Sequence, residues 1–348
     1  MSYHTFETSY RLTPTEWNTI KDKLYKSGGK VYIDYYDYLQ PIVCETLKVH
    51  GIILKLIKYR KNEFDYYMLY YRINPRRVMK SYNYIGIFDE SDTDKMLDKT
   101  SKYLKSVYKL MPSVYDCMLH RIDFCANITL SSQNEVEEYI KILQRGMYPK
   151  KYYPEMYYDL KSKRDKLYKN SITISHKNLL SVTYYNKYEQ LKQNRYCKNI
   201  KDAKNILRAE IQCKKNKVKH LMGKFGCTDI HSFLKNSDKR GKYVFKEYAN
   251  IFYGKGDFYK LDKIYEKIDN SKYKEKSKKM MKELVKLSAK HSSLETAMNE
   301  LKLKQKDRRA IMERFDKIGV SPVVIPRRFE HDRFKNPLTL ALKYGKFR

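Results

Sequence analysis

The periodicity of the chain changes near residue 227, and that change limits the folds open to it. Before it, short runs rich in β-branched and aromatic residues alternate with amphipathic stretches; after it, helix-period patterns dominate. Strands are expected at Lys30–Tyr38, Leu47–Arg60, Phe64–Ile73 and Met118–Leu130, twice within Ser171–Asn186, and at Asn205–Lys214. Asp92–Met111 reads as a helix, with Met96, Leu97, Leu104, Val107, Tyr108 and Met111 on one stripe and Pro112 just past its end. Ser132-x-x-Glu135 reads as a capping box opening a second helix, with Val136, Tyr139, Ile140 and Leu143 on its buried side and Gly146 as its C-terminal stop. Strands followed by helices, with hairpins between, predict an α+β fold. An antiparallel-sheet domain is expected over 1–227 and a mainly helical domain over 228–348. In the latter, Leu294–Leu301 and Lys306–Ile318 resemble two helices joined by a short basic turn, a pattern that helix-turn-helix DNA readers share with ordinary bundles.

The length, 348 residues, suits about two domains of roughly 100–200 residues each. An apolar fraction of 42% is enough to build cores. The chain carries 73 Lys and Arg against 40 Asp and Glu, a formal charge of +33. Such a charge points to a polyanionic partner, nucleic acid before anionic membrane. The 35 tyrosines say less, because an AT-rich genome enriches Tyr without selection for function. The start of the sequence has no basic segment leading into an apolar one, so no secretory signal is expected. The most apolar stretch, Gly51–Ile57, is short and interrupted by Lys55, far from the roughly 20 residues a bilayer span needs. The six cysteines contain no Cys-x-x-Cys pair, which argues against a disulfide framework or a zinc ribbon. The chain reads as cytoplasmic and reduced, with no membrane partner.

Three strands share one design. Alternation over His120–Ile128 puts Ile122, Phe124, Ala126 and Ile128 on one face and Arg121, Asp123, Cys125 and Asn127 on the other. Over Ile206–Cys213 it separates Leu207, Ala209, Ile211 and Cys213 from Arg208, Glu210 and Gln212. Over Leu180–Lys187 it turns Leu180, Val182 and Tyr184 inward and Ser181, Thr183, Tyr185 and Lys187 outward. If these polar faces align, Asp123, Glu210 and Tyr185 converge. Two carboxylates on near strands suit a hard divalent cation, Mg²⁺ or Mn²⁺. A cation that polarises a phosphate eases attack by a tyrosine hydroxyl, and Lys187 or Arg208 would favour the phenolate. The bland reading of the same residues is a set of surface ion pairs on a solvated sheet.

These segments also carry a resemblance. Arg121–Ile122–Asp123–Phe124, the box Tyr184–Tyr185–Asn186–Lys187–Tyr188–Glu189 and Leu207–Arg208–Ala209–Glu210–Ile211 occur in the order and spacing of rolling-circle replication initiators. Both the plasmid initiators of staphylococcal type and the filamentous-phage gene II replication proteins are similar. Arg72–Ile73–Asn74–Pro75 looks like an upstream strand end of the same family. The resemblance implies a relaxase-like nicking domain, with its nucleophile on Tyr185 and Tyr184 and Tyr188 as rivals. It implies metal-binding carboxylates on Asp123 and Glu210. Where the plasmid family often has a second acid, this chain has Asn127, which would stand in as a weaker ligand unless the third ligand lies elsewhere. The His-hydrophobe-His motif of other rolling-circle enzymes is absent, and only His120 and His176 lie near the expected site.

The function so implied is nicking of one origin strand, a 5′-phosphotyrosyl intermediate, a free 3′-OH primer, and rejoining of ends. The partners would be duplex origin DNA and single-stranded DNA, with a host helicase and a single-strand binding protein following from the family; a homodimer is allowed. The setting would be the cytoplasm of a bacterial host. Arg121 would hold DNA, and Arg308 and Arg309 would contact the duplex. Single-stranded DNA would lie along Lys150–Lys169, with Lys150 and Lys151 on the phosphates and bases stacking on rings such as Tyr152, Tyr153, Tyr157 and Tyr158. The alternative is a basic nucleic-acid-binding protein without enzymatic activity. A tyrosine recombinase would form the opposite, 3′-phosphotyrosyl, linkage.

Overall fold

The computed structural model describes residues 2–32, 40–61, 63–80, 85–193 and 200–344. The first elements are β1 (Ser2–Leu12), α1 (Pro14–Lys26), β2 (Lys30–Val31), β3 (Ile42–Cys44), β4 (Ile52–Lys61), β5 (Phe64–Ile73), α2 (Pro75–Val78), α3 (Thr93–Val107) and β6 (Met118–Thr129). Then come α4 (Gln133–Leu143), β7 (Tyr152–Pro154), β8 (Met156–Asp159), β9 (Arg164–Leu167), β10 (Ser171–His176), β11 (Leu180–Asn186), α5 (Lys187–Lys192) and β12 (Ile206–Cys213). The rest is α6 (Lys215–Lys224), α7 (Ile230–Leu234), α8 (Ser237–Tyr248), β13 (Phe258–Tyr259), α9 (Leu261–Asp269), α10 (Glu275–His291), α11 (Leu294–Glu300), α12 (Gln305–Lys317), β14 (Arg333–Phe334) and α13 (Pro337–Tyr344). The protein is therefore α+β, with a large antiparallel sheet and a helical C-terminal region.

The chain forms two compact units. One comprises the residues up to Cys125 together with Gln212–Gly241; the other comprises Ala126–Ile211 and the chain from Lys242 on. β6 and β12 each run from one unit into the other. The expected domain boundary at 227/228 falls inside the Gln212–Gly241 segment of the first unit.

In the first unit the strand order is β2-β3-β4-β5-β1-β6-β12. β4 pairs antiparallel with β5, β5 with β1, and β1 with β6. One face packs on α1 and α3 through residues such as Trp17, Leu24, Leu54, Tyr71, Met96, Leu97 and Leu104. The two helices start for identifiable reasons. Thr13 and Glu16 form a reciprocal capping box with Pro14 at the first helical position, and Asp89 caps the short turn that leads into α3.

β1 lies outside every expected strand. Its register against β6 shifts twice, between Tyr3 and Thr5 and between Glu7 and Thr8. The first of these shifts lies between Tyr3 and Phe6, which are three residues apart and both buried, so the two-residue period of a strand is broken. The expected Leu47–Arg60 strand begins only at Ile52. Lys48–His50 is a 3₁₀ turn closed by Gly51 at φ 80°, where an added Cβ would lie 2.8 Å from the Asn74 carbonyl oxygen. Of the expected Lys30–Tyr38 strand, 33–38 lies outside the described residues. α3 ends at Val107, short of Met111, because Tyr108 turns extended.

In the second unit the order is β6-β12-β11-β10-β7, with β10 antiparallel to β11 and β7. β8 and β9 form a separate hairpin. α4 follows the expected pattern: Ser132 accepts from the Glu135 amide, and Val136, Tyr139, Ile140 and Leu143 are buried. Glu135 reaches back to Ser131, not to Ser132. Gly146 is not the left-handed stop the pattern suggested. It has a negative φ and serves a close approach, since a Cβ there would meet the Phe252 carbonyl oxygen at 2.5 Å. The helices α9 to α13 surround a core that includes Phe252, Phe258, Ile264, Leu284, Met298, Phe315 and Phe334. Among the described residues no helix is long and apolar enough to cross a membrane. Cys44, Cys117, Cys125 and Cys213 are buried, and Cys197 lies outside the described residues.

Candidate active site

β11 and β12 bring a tyrosine and a carboxylate together in the second unit. Alternation on β11 sends Leu180, Val182 and Tyr184 into the core and leaves Tyr185 half-buried on the other side. The Tyr185 hydroxyl donates to Glu210 Oε2 at 3.3 Å. Lys187 is not on the strand face that alternation assigned to it, because the Asn186 side chain accepts from the Glu189 amide and starts α5 at Lys187. Its ammonium nevertheless stands 5.9 Å from the centre of the Tyr185 ring and donates to Gln190 Oε1 at 2.8 Å.

The two rival tyrosines have different surroundings. Tyr184 is fully buried, with its hydroxyl 2.8 Å from the Tyr253 hydroxyl and donating to the Ala249 carbonyl at 3.0 Å. Burial raises its pKa well above the ordinary phenol value, which opposes phenolate formation. Tyr188 sits on α5, half-exposed, with the Lys204 ammonium 5.9 Å from its ring centre.

The polar rows of β6 and β12 meet in both units. In the second unit Arg208 has no solvent exposure, and its Nε donates to Asn127 Oδ1 at 2.7 Å. In the first unit Arg121 holds Asp123 with two bonds, Nε to Oδ1 at 2.8 Å and Nη2 to Oδ2 at 2.6 Å, and the Gln212 carboxamide oxygen lies 2.6 Å from the same Nη2. Asp123 is 1% exposed. Burial raises its carboxyl pKa, and the Arg121 bond pulls against that rise. This face is thus not a solvated sheet surface. Asp123 is buried against Arg121, and the buried Arg208 bonds the Asn127 amide oxygen, so desolvated charge here is met by hydrogen bonds.

That pairing bears on the expected cation. Asp123 is held by Arg121, the Asn127 oxygen by Arg208, and Glu210 by Tyr185. Among the described residues no three of His, Cys, Asp and Glu come together as a metal-binding group. Of the expected ligands, Asp123 belongs to the first unit and Asn127 and Glu210 to the second, and the chemistry proposed for Tyr185 is written without a cation.

One charged residue of this face went unnoticed in the sequence. Glu7 on β1 stands in register opposite Arg72 on β5 and Arg121 on β6, so an Arg-Glu-Arg row crosses three strands. Burial raises the Glu7 pKa, while Arg121, Arg72 and Lys55 pull it down. The signal was an acid inside the β-prone run Thr5–Tyr10, hidden by the bulges.

His120, beside Arg121, has a buried Nδ1 with no hydrogen-bond partner among the described residues, and its ring meets Tyr70 edge-on at 5.2 Å. Burial, aided by the nearby Lys215 charge, lowers its pKa from 6.5 to about 4. The unfolded chain therefore takes up a proton there before the folded one does, and stability falls as pH drops from 6.5 towards 4. His120→Phe is expected to flatten that slope in urea unfolding followed across the window. An unchanged slope would assign the loss to other groups.

The other expected contacts divide. Lys150, Lys151 and Tyr153 are exposed, Tyr153 at 69%, while Tyr152 is half-buried and packs edge-on against His176 at 5.3 Å. The two C-terminal helices fall close to the expected places, as α11 and α12. Arg308 is engaged within the fold, donating to Glu295 Oε1 at 2.8 Å, to the Leu303 carbonyl at 3.0 Å and to Asn299. Arg309 is exposed. No protein-family model matches this sequence, and no curated protein matches it.

Proposed function

We propose that this chain is a DNA nicking and joining enzyme of the rolling-circle initiator kind, with a relaxase-like catalytic sheet and Tyr185 as its nucleophile. One observation carries the reading: the Tyr185 hydroxyl is hydrogen-bonded to the Glu210 carboxylate under the Lys187 ammonium, in a chain of charge +33. Tyr185 is the member of its cluster with a carboxylate partner and a half-buried position, whereas Tyr184 is packed into the core.

The chemistry follows from the pair. Glu210 takes the hydroxyl proton as the Tyr185 oxygen attacks phosphorus, and Lys187 stabilises the developing phenolate charge. The bond from phosphorus to the 3′ oxygen breaks. That oxygen leaves as a hydroxyl, taking up the proton, and the 5′ phosphate stays on the tyrosine. Joining is the reverse, with a 3′-OH attacking the phosphotyrosine. Arg309 and the exposed lysines would hold the backbone; the helicase, the single-strand binding protein and the bacterial cytoplasm belong to the same proposal.

Glu210→Gln tests the proton acceptor. The variant keeps the shape and a hydrogen-bond acceptor but has little basicity. Cleavage of supercoiled plasmid and of single-stranded DNA, assayed with Mg²⁺ or Mn²⁺ and again with EDTA, is expected to slow by about 10²–10⁴-fold. Raising the pH should recover part of the rate as hydroxide replaces the carboxylate. A variant that nicks at the wild-type rate would remove Glu210 from this role.

A further inference from the structure

The second unit carries a surface that the nicking chemistry does not use. β8 and β9 form a hairpin with register Met156 to Leu167, Tyr157 to Lys166, Tyr158 to Asp165 and Asp159 to Arg164. Directly paired residues share a face, so Tyr157, Asp159, Arg164 and Lys166 lie on one side. Tyr168 is two residues past Lys166, and its ring centre is 5.2 Å from that of Tyr157, with the planes tilted by 44°. Both rings are open to solvent, Tyr157 at 39% and Tyr168 at 48%.

Rings left this open add little to a core, and a soluble surface seldom groups them without a partner. The segment 150–169 also carries seven basic residues against three acidic ones. Lys166 is paired with Asp159, whose carboxyl it holds down to about 2, so that pair pins the hairpin's geometry. Arg164 and the lysines of the connecting turn supply the excess charge.

We infer that the β8–β9 hairpin is a grip for single-stranded nucleic acid, in which bases stack on the Tyr157–Tyr168 pair and the flanking cations track the phosphates. The choice of occupant rests on two features together. Positive charge selects a polyanion, and exposed ring faces select one whose bases are free to stack, which excludes an intact duplex. The inference deepens the nicking proposal by naming where the opened strand is held, but strand binding does not require that Tyr185 react.

The test is fluorescence anisotropy of labelled oligothymidylate and of a labelled duplex against the full chain. Tyr157→Ala/Tyr168→Ala is expected to weaken oligothymidylate binding by about ten-fold or more while leaving duplex binding unchanged. Tyr157→Phe/Tyr168→Phe should bind as wild type, because stacking needs the rings and not the hydroxyls. Equal affinity of the alanine variant and wild type, or an equal loss in the phenylalanine variant, overturns the inference. So does a loss confined to anionic phospholipid vesicles, which would make the hairpin a membrane contact. Binding measured in a Tyr185→Phe background separates this outcome from the fate of the nucleophile assignment.

Discussion

Arg121→Met is expected to destabilise the protein by about 3–5 kcal/mol at neutral pH, and acidification should reverse much of the loss. The Asp123 side chain is 2% exposed and the Arg121 side chain 20% exposed, so the substitution leaves a carboxylate desolvated without its partner. The sign of the pH dependence follows from the direction of the Asp123 shift. Burial already holds that pKa above the ordinary aspartate value, and Arg121 is the largest influence lowering it. Without Arg121 it rises further. A raised carboxyl pKa means the folded state binds the proton more tightly than the unfolded chain. Stability of the variant is therefore regained as pH falls through the folded pKa towards the ordinary value of 3.8. Adding Asp123→Asn to Arg121→Met should restore most of the stability at neutral pH. Urea unfolding of the single and double variants over pH measures both effects. A single variant as stable as wild type at neutral pH would mean that Asp123 is solvated.

Tyr185→Phe is expected to abolish strand cleavage while leaving the fold and DNA binding in place. The substitution removes one hydroxyl, whose hydrogen bond to Glu210 is worth about 0.5–1.5 kcal/mol of stability, and keeps the ring under Lys187. Neither neighbouring tyrosine of the cluster shares its geometry. The Tyr184 oxygen lies between Tyr253 and Ala249 in the core, and Tyr188 is the second residue of α5, beside Lys204. Nicking by Tyr185→Phe at the wild-type rate, with Tyr188→Phe inactive, would move the nucleophile to α5.

The elements read most easily from the sequence were those whose burial is one-sided and regular. β5 has the expected bounds, β10 and β11 fall where two strands were expected, and the inward turn of Tyr184 against the outward turn of Tyr185 follows from alternation. β1 was illegible because the register shift after Tyr3 leaves both Tyr3 and Phe6 buried. Lys187 was assigned to a strand because the capping role of Asn186 competes with strand continuation only once the turn is formed. Burial of the polar face was also hidden. Arg208, Asp123 and Asn127 read as alternating polar positions whether the sheet face is wet or covered, and only their partners distinguish the two cases. Arg308 is expected from the sequence to contact duplex DNA from the helix Lys306–Ile318. Its guanidinium is taken up where α11 and α12 come together, a contact that exists only in the folded chain.

The most direct test of the central claim uses end-labelled single-stranded DNA of random sequence, which requires no knowledge of the target site. Wild-type protein is incubated with Mg²⁺ or Mn²⁺, denatured in SDS, and resolved from free DNA. A 5′-phosphotyrosyl intermediate keeps the downstream fragment, so 3′-end label is expected to migrate with the protein and 5′-end label to be released, with no adduct from Tyr185→Phe. Absence of any SDS-resistant band would leave a binding protein without catalysis, and retention of the 5′-end label would show the opposite linkage; either result contradicts the account.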